Sequence, residues 1–377
     1  MRVKWLARVL LFVGLCLLAG CAGVSSVRQP ANQILYVLNN GTVATFSIDP
    51  SSLSAAPVED PVSLVPTSAA LLQFDPSPRD HFVYSVWLDG QNLQHLSVFQ
   101  TDSFGVPQIP AIQVLNANSL SQFNMHPRGR FAYMLEVTNV NQVYWADIRL
   151  FNVQSDGGML VENPQIQGQY GPAFLWPAFL YGFSSDGSKL YDTSTLSDGA
   201  VFRERAIDLK TGELGADSQI FAAGREQAVV LGKVIVEQYQ SSGDQGYIDV
   251  FPNTPNPKHA SVHCTAAMLR YCATASDVQL ERSGRYLFLT DPATQAVHVA
   301  VIKLSEERVL DTGASLPMTS QTPGFAFSPG ESIVYAMLAR DHSLHFYHFN
   351  LSTGSLTESG TPLPLGNDAG ICPAQLD

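Results

Sequence analysis

An all-β fold closing as a seven-bladed β-propeller is predicted by three observations on this sequence. First, a pair of apolar strands joined by a turn recurs as LLQFDPSPRDHFVYSVW (71–87), SQFNMHPRGRFAYMLEV (121–137), YGFSSDGSKLYDTS (181–194), VQLERSGRYLFLTD (278–291) and FAFSPGESIVYAML (325–338), with a weaker copy, AVVLGKVIVEQY, at 228–239. Second, each pair leads into a third strand, such as LQHLSVFQTD or SLHFYHFNL, and several of these run through a tight turn into a fourth, as in DLKTGEL and NLSTGSL. Glycine meets the backbone demand of such reversals, and four short strands over about 45–55 residues are the size of a propeller blade. Third, the chain ends hold complementary fragments. ILYVLNNGTVATFSID supplies a second and third strand with no first, while Gly370-Ile371-Cys372-Pro373 matches the opening Phe325-Ala326-Phe327-Ser328 of a unit that goes no further. A last strand that completes the first blade would clasp the ring and leave only short, protected edges. Strand cores such as Ile34-Leu35-Tyr36-Val37-Leu38 are apolar at every position, as stacking on both faces requires. A β-sandwich or a pair of β domains would explain neither the near-equal repeats nor the split first unit.

The N-terminus joins Arg2, Lys4 and Arg8 to an apolar run from Val9 to Ala19 that ends at Leu18-Ala19-Gly20-Cys21. Basic start, short apolar run and small residues make an export signal, and the run is too short to span a bilayer comfortably. Leu-Ala-Gly-Cys resembles the lipobox of bacterial lipoproteins, which implies removal of residues 1–20 and acylation of Cys21. Each buried methylene of an acyl chain contributes about 0.8 kcal/mol, so several chains would hold a domain at a membrane without a spanning helix. Residues 21–33 then read as a lipidated cysteine and short polar tether, and 34–377 as the propeller. Ala22 is not the aspartate that retains lipoproteins at the inner membrane in the enterobacterial rule, which places the protein by analogy at the outer membrane, facing periplasm or exterior.

Loss of three positive charges and no acids with residues 1–20 would move the formal charge from −12 to −15. So acidic a chain does not seek nucleic acid. A monomer, attached to the membrane only through its lipid, is the expected state, and nothing in the sequence calls for a cofactor.

The "SPxG…YV"-like strand pairs and the Asp/Asn-Leu-x-Thr-Gly-x-Leu turns at 208–214 and 350–356 resemble the YVTN and lactonase-type seven-bladed propeller repeats, the group that includes bacterial 6-phosphogluconolactonases. The resemblance covers nearly the whole chain after residue 33. It implies a site on the face where loops between second and third strands emerge. Those loops carry Asp89, Asn92, Glu136, Asn139, Asp198, Asp244, Asp291 and the run Arg340-Asp341-His342. A lactonase needs a base to activate water and a donor or cation to steady the oxyanion. Asp291, Arg340 and His342, on adjacent blades, are the candidate catalytic set, and Asp89, Asn92, Glu136, Asn139, Asp198 and Asp244 the candidate binding residues. Hairpin tips are also polar simply because they are wet. The family's histidine before the SPDG-type turn has no counterpart four to seven residues before Pro76, Pro127, Ser185, Arg282, Pro329 or Pro373, and Asp291 in FLTDPATQ is the nearest match to its Asp-Leu-Gly loop. A binding or scaffold module for an envelope protein or small sugar-like ligand is therefore the first functional expectation. Hydrolysis of sugar lactones is the alternative, and a part in an outer-membrane assembly machine a third.

The remaining signals read as structure. His342, His345 and His348 lie close in sequence, but His345 and His348 point to opposite sides of an ideal strand, and no zinc-type spacing appears. A Gly-x-Ser-x-Gly nucleophile motif is absent. Asn40-Gly41-Thr42 fits a sequon but reads as a hairpin turn, and Asn350-Leu351-Ser352 as a strand end. Once Cys16 has left with the signal and Cys21 is lipidated, Cys264, Cys272 and Cys372 remain. An oxidising compartment would favour a Cys264–Cys272 bridge across the proline-rich insertion, with three free thiols as the other reading. Cys372 is expected in the closing strand.

Overall fold

The computed structural model describes residues 33–375 apart from 40, 78–80, 118–119, 141–142, 156, 164–173, 185, 197–198, 224–225, 232–233, 241–245, 253–262, 265–270, 272–276, 282, 318–324, 329, 331 and 366–369. Cys21, Cys272, Asp198 and Asp244 lie outside the described residues, as does the side chain of Asn139.

The strands form antiparallel meanders in chain order. The first sheet holds β1 (Gln33–Asn39), β2 (Thr42–Asp49), β3 (Ser54–Pro57) and the short β4 (Val62–Ser63). The second holds β5 (Ala70–Pro76), β6 (Phe82–Leu88), β7 (Gln94–Gln100) and β8 (Gln113–Ala117). Next come β9 (Leu120–Met125), β10 (Phe131–Val140), β11 (Val143–Val153) and β12 (Leu160–Glu162), then β13 (Phe174–Phe183), β14 (Lys189–Leu196), β15 (Gly199–Ile207) and β16 (Leu214–Ala223). A three-stranded sheet follows, β17 (Glu226–Leu231), β18 (Val234–Gln240) and β19 (Gly246–Pro252), at the weak repeat. The next sheet is β21 (Asp277–Leu280), β22 (Tyr286–Asp291), β23 (Ala296–Lys303) and β24 (Arg308–Pro317), with β20 (His263–Cys264) parallel to β24. The last is β25 (Phe325–Phe327), β26 (Ile333–Leu338), β27 (Ser343–Phe349) and β28 (Leu356–Pro364). The chain then returns as β29 (Gly370–Gln375), pairing with β1 in a register that sets Tyr36 opposite Cys372. The clasp expected from the split first unit is therefore present.

The blade count differs from the expectation of seven, because the described residues form six hydrogen-bonded sheets. The third and fourth expected units are one eight-stranded sheet. Its cause is local. β12 has only three residues and covers β11 only over Phe151–Val153. The edge of β11 nearer its start is open, and β13 fills it through the Trp145–Leu175 and Ala146–Phe174 pairs. A backbone edge left unpaired is a ready template for another strand.

First strands of successive units touch, β25 with β29, β29 with β5, and β9 through β13 and β17 to β21, as strands converging on one axis must. The core lies between sheets rather than in one centre. β6, β22 and β26 are buried at or nearly at every position. Tyr84, Val86, Leu96 and Val98 of the second sheet, for example, pack on Phe123, Met134, Phe151 and Leu160 of the third. Each such buried aliphatic or aromatic side chain stabilises the fold by about 1.5–3 kcal/mol.

Two sequence signals meet across these interfaces. The tyrosine of a second strand donates its hydroxyl to the carbonyl of a turn glycine in the next unit: Tyr36 to Gly105 at 2.7 Å, Tyr84 to Gly158 at 3.0 Å, Tyr133 to Gly212 at 2.7 Å. Gly212 holds a left-handed backbone, φ +77°, and a Cβ there would sit 2.7 Å from the Phe131 ring. Conformation and space both demand glycine. In three of the turns between first and second strands a buried polar residue closes the turn. His126 Nδ1 accepts from Arg128 N–H, Ser184 Oγ from Lys189 N–H and Glu281 Oε1 from Ser283 N–H. His126 Nε2 also lies 2.8 Å from the Gly187 carbonyl of the following unit.

Candidate functional site

The hairpins between second and third strands place the acidic residues singled out above. Asp89 leaves β6 and its Oδ1 accepts the N–H groups of Gln91 and Leu93 at 2.8 and 2.9 Å. Its Oδ2 lies 3.1 Å from His95 Nε2, and that hydrogen bond is the main cause holding the carboxyl below its ordinary pKa. The His95 ring stacks on Trp87, and its Nδ1 meets Asn116 Oδ1 on β8 at 2.8 Å. Asn92 occupies the left-handed position of the turn, φ +61°, a conformation asparagine tolerates better than most residues.

The last blade repeats this arrangement with different residues. His345 on β27, 2% exposed, lies between Asp341 Oδ2, 2.9 Å from Nε2, and Glu358 Oε1 on β28, 2.6 Å from Nδ1. Burial would raise the Asp341 pKa, but the His345 bond, the Ser343 N–H and the nearby His345 and Arg340 charges outweigh it and hold the carboxyl low. Arg340 is half exposed, with Nε 3.5 Å from Asp341 Oδ2 and Nη2 3.9 Å from Glu358 Oε1. His342 is exposed at the left-handed turn position, φ +52°, and its N–H donates to the Leu338 carbonyl.

Asp291 ends β22 fully buried. It accepts from Ala293 N–H at 3.0 Å and Thr294 Oγ1 at 2.7 Å, and Thr294 Oγ1 lies 2.8 Å from His298 Nε2, whose ring stacks on Tyr271. Three blades thus share one device, a hairpin-tip aspartate linked to a third-strand histidine. Arg340 and His342 share one turn, whereas the bonds seen at Asp291 run to its own hairpin. Glu136 lies on β10 opposite Asp147 and accepts from Arg149 Nη1 at 3.3 Å.

A carboxyl that sequence reasoning missed lies on a first strand. Asp75, on first strand β5, is partly exposed yet surrounded by protein. Burial pushes its pKa up to about 7, and the bond from Gln73 Nε2 counters only part of that. The same Gln73 amide bonds the Phe123 backbone on β9, donating to its carbonyl at 2.6 Å and accepting its N–H at 3.3 Å. Cys372, a free thiol on β29, is raised to about 12 by burial and then by the Asp75 charge. The available signal was the aspartate itself. It stands in FDPSP where the other copies have Asn124, Gly182, Gln279, Ala326 and Ile371. Cys264 is disulfide-bonded. No group of three or more metal-ligating side chains occurs among the described residues.

No family model matches the chain, and no curated protein matches it. Solved structures do. A candidate 6-phosphogluconolactonase from Bacteroides uniformis superposes with a TM-score of 0.58 at 13% identity, covering 90% of this chain and 100% of its own. The fold is that of the 6-phosphogluconolactonase-like propellers. A periplasmic gluconolactonase from Pseudomonas aeruginosa matches with a TM-score of 0.58 at 14% identity over 90% of this chain and 98% of its own. Hydrazine synthase of Kuenenia stuttgartiensis matches with a TM-score of 0.55 at 13% identity over 85% of this chain and 94% of its own. One propeller frame thus carries unrelated chemistries, and function has to be argued from the site.

Proposed function

We propose that this propeller is a binding module of the bacterial envelope, held at the membrane through an acylated Cys21, that receives a small sugar-like ligand or an envelope protein. The observation that carries this reading is the use of the hairpin-tip carboxylates. Asp89, Asp291 and Asp341 each accept hydrogen bonds from their own turn; Asp89 and Asp341 contact the third-strand residues His95 and His345, and Thr294 of the same turn links Asp291 to His298. Groups so engaged stiffen a face; they are poorly placed to move protons to and from a substrate. The test is hydrolysis of a panel of lactones, including gluconolactone and 6-phosphogluconolactone, beside Asp291→Asn and His342→Ala variants. Rates equal to buffer support binding without turnover, and turnover that collapses in either variant would instead make the Asp291, Arg340 and His342 set catalytic. Metabolic acyl labelling that Cys21→Ala abolishes would support the anchor.

A second reading, a lactonase-type hydrolase, is favoured by Asp75. A carboxyl titrating near 7 is matched to general-base work at neutral pH, and it lies on a first strand, where the axis of a propeller runs. Lactone turnover that rises with pH through about 7 and vanishes in Asp75→Asn would put this reading first.

A further inference from the structure

We propose that the cleft between the outer halves of the second and third units is a binding site for a small uncharged amphiphile, a ring or branched alkyl group of about six carbons bearing a hydroxyl or amide. The cavity holds about 120 Å³. Its lining comes from β7, β8, β10, β11 and β12 and from no first strand, so it is separate from the axis and from Asp75. Leu96 and Leu115 form one wall, and Met134, Phe151 and Leu160 the other. Its size approaches the ~150 Å³ of a cavity that takes up benzene.

The two sides are held apart at a fixed spacing. The Gln113 side chain of β8 both donates to the Leu160 carbonyl at 2.9 Å and accepts the Leu160 N–H at 2.7 Å, bracing one unit on the next. Collapse of the walls would break both bonds. At the polar end stand Asn116, Arg149 and Glu162. Arg149 Nε and Nη2 both donate to Glu162, Nη1 donates to Glu136, and the guanidinium lies 5.4 Å from the Phe151 ring centroid. Asp147 adds a third carboxylate on the Arg149 face of β11, its Oδ1 buried without a hydrogen-bond partner. Carboxylates outnumber the one cation, so an anionic head is repelled. A hydroxyl or amide, able to donate and accept, matches the end.

The experiment is titration of the protein with benzyl alcohol, benzamide and benzoate, followed by ligand-observed NMR. Benzyl alcohol and benzamide are expected to bind, with benzoate at least tenfold weaker. Leu115→Phe, which fills the cavity, should abolish binding while the far-ultraviolet spectrum is kept; Leu96→Ala, which enlarges it, should admit a two-ring alcohol that the parent rejects. Absence of binding by all three probes overturns the proposal, as does benzoate binding as tightly as benzyl alcohol. Binding that survives Leu115→Phe and is indifferent to Leu96→Ala overturns it too, since the ligand would then sit elsewhere.

Discussion

Asp75 and Asp341 are the same side chain in two parts of one propeller, and their surroundings drive them in opposite directions. Asp75 sits on a first strand with one neutral donor, Gln73, and burial lifts its pKa to about 7. Asp341 sits at a hairpin tip, where burial is opposed by the His345 bond, the Ser343 N–H and the charges of His345 and Arg340, which keep it low. The tip carboxylate is therefore a permanent anion that fastens a hairpin. The first-strand carboxyl is held by burial at a pKa of about 7. The upward shift arises at the less conspicuous position, where solvation is withdrawn and only a neutral donor replaces it.

The largest expected effect that sharpens this contrast is on the pH dependence of stability. An unfolded aspartate titrates near 3.8 and folded Asp75 near 7, so the folded chain holds the proton more tightly. Stability is then lost as pH rises from about 4 to about 7. Asp75→Asn removes that loss and should leave the protein more stable than the parent at pH 8 by about 2–4 kcal/mol, with little difference at pH 4. Urea unfolding at both pH values checks it; an unchanged slope would break the contrast.

Asp341→Asn should act with the opposite sign. A depressed pKa contributes stability above the unfolded value that is lost as pH falls through the folded one. The variant is expected to cost less than about 1 kcal/mol at pH 7, because the Asp341 carboxylate paired with buried His345 is itself partly exposed and screened by water, and the difference should fade as pH falls through the carboxylate range. Thermal melts across that range measure it, and a cost independent of pH would mean that the hydrogen bond, not the charge, does the fastening. The smallest effect belongs to Arg340→Ala. Its contacts are long and half exposed, so unfolding free energy should change by less than about 0.5 kcal/mol, a limit that a double-mutant cycle with Asp341→Asn would test.

Much of the architecture is legible in the sequence. Ile333–Leu338 is apolar throughout, and Phe82–Leu88 apart from Ser85, because sheets cover both their faces, and the split first unit announces the β1–β29 clasp. The tips Asp89, Asp291 and Arg340–His342 were legible as positions because hairpin loops are polar. Their use was not, since the partners that decide it, Asn116 for His95 and Glu358 for His345, come from a fourth strand 21 and 13 residues further along. Asp75 carried a weaker signal still, one acid among turn residues.

The sequence by itself determined an all-β repeat protein with a shared first blade, because strand periodicity and turn glycines are local properties written into each copy. Tertiary structure alone decided how the copies meet. The Tyr36, Tyr84 and Tyr133 hydroxyls find glycine carbonyls 69, 74 and 79 residues away. The brevity of β12 lets β13 pair with β11, so that two expected blades become one sheet. The pKa of Asp75 depends on how much water neighbouring strands exclude. Each is a relation between segments distant in the chain, fixed only when packing sets their separation.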